Sequence, residues 1–81
     1  GLSFSPNPNN GKFNLSFDLP DKGKTDIRIL DVGNKEIYKQ TLGNFSGRYE
    51  NQIDISGNPK GVYFLEITQN SKTLNKKIII Q

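Results

Sequence analysis

Apolar residues recur along the chain at every second position and hardly ever at the spacing of a helical face. Phe13, Leu15, Phe17 and Leu19 alternate with Lys12, Asn14, Ser16 and Asp18, which predicts a strand with one face on a core and the other in solvent. Leu2 and Phe4 predict a shorter strand before it. That strand is stopped by Ser5-Pro6-Asn7-Pro8-Asn9-Asn10-Gly11, where two prolines lack the donor that a ladder needs. Pro20-Asp21-Lys22-Gly23-Lys24 predicts a turn into a strand over residues 25–32. Within it Ile27 and Ile29 share one face while Leu30 and Val32 share the other, a change of parity that implies a bulge near Asp31 or burial on both faces.

Gly33-Asn34 predicts a two-residue hairpin into a strand over residues 36–42, where Tyr38, following an inward Ile37, is the best candidate for an exposed ring. A polar loop over residues 43–47 precedes a strand over residues 48–55. Asn58-Pro59-Lys60-Gly61 then marks a corner into an aromatic strand with Tyr63, Leu65 and Ile67 on one face and Val62 and Phe64 on the other. Asn70-Ser71 predicts a hairpin that returns through Leu74 to Ile78 and Ile80. Short strands at close spacing, with turn signals between them, predict an all-β fold, an Ig-like antiparallel β-sandwich of about seven short strands. Lys12, Lys72, Lys76 and Lys77 are candidates to guard strand edges against pairing with other chains.

Composition narrows the function. With 81 residues the chain predicts a single domain, able to bury only roughly 60% of the surface its unfolded form exposes. It has no Cys, so neither disulfides nor thiolate metal sites can support so small a core. It has no His either, which removes the usual general base near neutral pH, the usual metal ligand and any Ser-His-Asp triad. An enzyme is therefore not expected, nor any cofactor. Eleven basic residues against eight acidic give a net charge of +3, scattered rather than striped, which does not predict a nucleic-acid partner. No run approaches the about 18 apolar residues of a transmembrane segment.

Three sets of residues invite a chemical reading. Asp18, Asp21 and Asp26 surround one turn, but their spacing fits no Ca²⁺ loop and Asp is favoured in turns for its own hydrogen bonding. Asp31, before Gly33, suits a carboxylate that accepts from turn amides. Tyr38, Tyr49 and Tyr63 could present rings to a sugar, which makes a carbohydrate-binding or spacer β-sandwich module of a secreted enzyme the alternative function; exposure of Tyr38 and Tyr49 on one face would favour it.

Four segments, in order and covering nearly the whole chain, carry a resemblance. Ser5-Pro6-Asn7-Pro8 through Phe13, Ile29-Leu30-Asp31-Val32-Gly33-Asn34, Pro59-Lys60-Gly61-Val62-Tyr63 and the terminal Lys76-Lys77-Ile78-Ile79-Ile80 together resemble the C-terminal sorting domain (type A) of proteins exported by the type IX secretion system of Bacteroidetes. Their counterparts there are a Tyr-Pro-Asn-Pro opening, an aspartate-then-glycine hairpin, a Leu-Pro-x-Gly-x-Tyr signature and a basic last strand. Ser5 stands where the family has an aromatic residue, and Gly57-Asn58 where it commonly has Leu.

The resemblance implies an export address excised from the end of a larger secreted protein, residues 1–81 forming the sorting domain. It implies passage from the periplasm through the type IX outer-membrane translocon and removal by a sortase-like peptidase. The N-terminal cargo domain of the same chain would then be anchored to the cell surface or released. The positions it marks are Pro59, Gly61 and Tyr63 of the signature, Gly33 of the hairpin, and Lys76 and Lys77 of the last strand. From these follows the expectation of a rigid two-strand patch with the lysines on its outer side.

Overall fold

A computed structural model describes residues 1–81 as five antiparallel strands with no helix. They are β1 (Ser3–Ser5), β2 (Lys12–Asp31), β3 (Glu36–Asp54), β4 (Gly61–Gln69) and β5 (Lys72–Ile80). The order across the sheet is β1-β2-β4-β5, and β3 pairs with the other side of β2. The all-β, sandwich-like class is as expected from the alternation. The strand count is not: five, where about seven short strands were expected.

The difference lies in two places where turn signals do not end a strand. β2 runs through Pro20-Asp21-Lys22-Gly23-Lys24 and β3 runs through residues 43–47. The ladder between them shifts register between Leu19 and Gly23, where β2 carries the extra residues, and again between Thr25 and Asp26. Pro20 falls in the first shift, opposite no ladder partner, which is where a strand tolerates a residue without an N–H. These irregularities bend the long β2–β3 ribbon. Residues 14–16 pair with β1 and residues 25–31 pair with β4, so the curled sheet presents two halves to one core.

That core takes the alternate residues of both halves: Phe13, Leu15, Phe17 and Leu19 from the first, and Ile27, Ile29, Tyr63, Leu65, Ile67, Ile78 and Ile80 from the second. Phe17 stacks on Tyr49 with ring centroids 4.7 Å apart, and Phe45 meets both rings edge-on. Each such pair adds about 0.5–1.5 kcal/mol to the burial itself. The parity change in β2 is resolved on both counts raised by the sequence. A bulge is present, but it lies in β3 at Ile37, between the pairs Ile29↔Tyr38 and Leu30↔Glu36; and Leu30 is buried on the outer face, across from Phe64.

The bend is closed by a buried polar group that periodicity did not mark. Gln69 Nε2 donates to the Phe45 carbonyl at 2.8 Å and to Thr25 Oγ1 at 3.0 Å, while Thr25 Oγ1 donates to the Gly23 carbonyl. One side chain at the end of β4 thus satisfies backbone at the bends of both β2 and β3, where ladder bonds are interrupted.

Candidate functional site

The corner after β3 is built by local hydrogen bonds. The Asp54 carboxylate accepts from the Ser56 amide and hydroxyl at 2.9 and 2.6 Å, which hold it below the ordinary Asp range, the hydroxyl bond contributing most. Asn58 closes the next turn on buried Ile55, whose carbonyl accepts from both its backbone and its side-chain amide. Pro59 follows, and its carbonyl accepts from the Tyr63 hydroxyl. The Tyr63 ring is buried in the core, so one residue fixes the corner at its tip and the sheet at its base.

Gly61 has φ +147°, a conformation that strains any residue with a Cβ, although open space surrounds it. The requirement is therefore in the backbone and not in the packing. From there β4 enters register with β5 as Gly61↔Ile80, Val62↔Ile79 and Tyr63↔Ile78.

The β2–β3 hairpin approaches this corner. Asp31 organises it: its Oδ1 accepts from the Gly33 and Lys35 amides, each at 2.9 Å, and its carbonyl accepts from Asn34. Between the bonded pair Asp31 and Lys35 the connection has three residues, Val32-Gly33-Asn34, not the two expected, and the positive φ belongs to Asn34 at 68°. Gly33 needs no special backbone conformation; its amide serves Asp31. The Asp31 reading as a turn acceptor is borne out.

Hairpin and corner together line a groove of about 320 Å³, floored by Ile37 and Val62 and flanked by Val32, Lys35, Pro59 and Lys60. Residues far apart in sequence meet here, and Val32 at the hairpin tip is 76% exposed. Pro59, Gly61 and Tyr63 all border the groove, whereas Gly33 sits in the hairpin without lining it.

The two lysines are elsewhere. Lys77 lies opposite Phe64 on the outer face, but Lys76 lies opposite Leu65 on the core side, exposed where the core ends. Adjacent residues of a strand point to opposite faces, so the expected patch with both lysines outside does not form. Both border a second concavity of about 280 Å³ beside Leu2 and Phe4.

Asn9 is the residue that the sequence reading passed over. It is buried, its Oδ1 accepts from Gly11 at 2.7 Å and its Nδ2 donates to the Pro6 carbonyl at 3.0 Å. Its backbone is then offered to the last strand: its N–H donates to the Ile79 carbonyl and its carbonyl accepts from the Gln81 amide at 2.8 Å. The available signal was an Asn two residues before Gly, just after a Pro-Asn-Pro run, a setting for Asx bonding. It gave no indication of the distant strand.

The rings do not form a sugar platform. Tyr49 is 7% exposed and stacked in the core. The bulge at Ile37 turns Tyr38 toward the core side as well, opposite Ile29 and half-buried, where burial and then Tyr49 push its phenol above the ordinary range.

Residues 3–81 match the model of a family described as the secretion system C-terminal sorting domain. The chain belongs to this family. As a type IX sorting domain it comes from a family of export signals and not of enzymes. No curated protein matches the sorting domain. Membership implies dealings with the type IX machinery and with an N-terminal cargo, and export across the outer membrane.

Proposed function

We propose that this sorting domain is the end of a longer exported protein and acts as a folded address, read by the type IX outer-membrane translocon after transit through the periplasm. A sortase-like peptidase then removes it, and the cargo is anchored to the cell surface or released. The observation that carries this reading is the convergence of the Asp31 hairpin and the Pro59-Lys60-Gly61 corner on one groove, held by hydrogen bonds to Asp31, Ile55 and Pro59. An address of this kind exists only in the folded chain.

Within it, Pro59, Gly61 and Tyr63 shape the corner and Gly33 serves the hairpin. Lys76 and Lys77 supply charge at a separate strand edge. The test is a fluorescent reporter carrying a signal peptide and this domain at its C-terminus, expressed in a bacterium with a working type IX system and in its translocon mutant. Reporter outside the cell in the working strain alone is the expected result. Periplasmic retention in both strains, with the domain folded, would sink the reading.

A further inference from the structure

β5 is the one strand that both presents a regular open edge and is charged with a single sign. Its ladder with β4 runs through nine consecutive pairs, Gly61↔Ile80 to Gln69↔Lys72, without a register shift. The other long edge, that of β3, is interrupted by bulges and carries both signs, with Arg48 bonded to Asp18 and Glu50. The backbone of Ile79 in β5, and of Gln81 just after it, faces away from β4, because both bond to Asn9. N–H and C=O of one strand residue point to the same side and alternate along the chain, so Thr73, Asn75 and Lys77 also point their backbone groups outward. No part of the chain meets these groups.

Asn9 thus ends a short open edge over residues 72–78. Lys72, Lys76 and Lys77 stand along it, β5 contains no acidic residue, and none of the three is ion-paired.

We infer that the open edge of β5 accepts an acidic, extended segment of a protein partner as an added strand. The surface rests on the sorting-address reading and would give it a first contact. Charge names the chemistry: adjacent carboxylates on the incoming strand, which point to opposite faces, would meet Lys76 on one face and Lys77 on the other. A flat anionic surface, lipid or polysaccharide, would reach one face only and leave the outward amides unsatisfied. A second copy is disfavoured, since antiparallel β5–β5 pairing sets these lysines against one another.

The probe is an end-capped eight-residue Glu/Val peptide of Val-Glu-Glu-Val repeats, with its Lys/Val counterpart of Val-Lys-Lys-Val repeats as control, added to the 81-residue domain and read by amide hydrogen exchange. The Glu/Val peptide is expected to slow exchange at Thr73, Asn75 and Lys77 and to leave the edge of β3 unchanged. Reversal of Lys72, Lys76 and Lys77 to Glu should weaken it by roughly tenfold or more, and their replacement by Arg should not. Asn75→Pro, which deletes one outward N–H, should abolish protection while the circular dichroism is kept.

Equal protection by both peptides, protection along β3, no protection at all, or self-association of the free domain through β5 would each overturn the inference. So would binding that survives Asn75→Pro, since it would be charge attraction without strand addition. In cells, the Lys→Glu domain should be retained where the unaltered domain is exported. Export of both removes the edge from the address; retention of the unaltered domain removes the address reading instead.

Discussion

Gly61 and Tyr63 act on the same corner by different means, and their substitution should separate shape from stability. At φ +147° a β-branched side chain strains the backbone by about 1–3 kcal/mol. Gly61→Val should therefore lower the melting temperature and reduce reporter export, and normal export would show that the corner geometry is not read. Tyr63→Phe keeps the buried ring and removes only the bond to the Pro59 carbonyl. A loss of about 1 kcal/mol in denaturant unfolding is expected. Asn9→Ala removes the side-chain bonds that shape the loop pairing with β5, so the Gln81 amide should exchange faster than in the parent. The motif letters were legible in the sequence; what each does was not. Gly33 looks like a conformational glycine and is not one, because Asn34 carries the positive φ.

Among the elements, β5 contributes both to the core and to the open edge. Deleting residues 76–81 removes buried Ile78 and Ile80, about 3–6 kcal/mol of side-chain burial, against a total stability of about 4–12 kcal/mol for a domain of this length. The shortened domain should lose its cooperative thermal transition by circular dichroism. A transition like the parent's would mean that β5 is not integral to the fold. The turn from β4 into β5 was readable in advance, since Asn70 and Ser71 both take the positive φ of a primed two-residue hairpin. The lysine faces follow from strand parity, but only once register fixes which parity faces the core: Leu65 opposite Lys76 decides it.

At the scale of the whole molecule, stability should be bounded at both ends of the pH range by groups in identified places. Asp54 is held below its ordinary 3.8 by Ser56, so its contribution is complete above that value and is lost as pH falls through the lower folded value. Tyr38 is held above 10.0, so the folded state keeps its full share below pH 10 and loses it as pH rises through the raised value. Melting temperature against pH should fall at both ends, with Asp54→Asn flattening the acid limb and Tyr38→Phe the alkaline one.

The all-β class, the inward residues Phe13 to Leu19 and the turn at residues 70–71 were legible in the chain alone, because side-chain alternation and turn chemistry are local. The folded chain was needed to show that β2 and β3 run through their bends, since a proline or a polar loop ends a strand or merely bends it according to whether the partner resumes pairing beyond it. It also brought hairpin and corner to one groove and Asn9 to Ile79, contacts between residues too distant in the chain for any local pattern to encode.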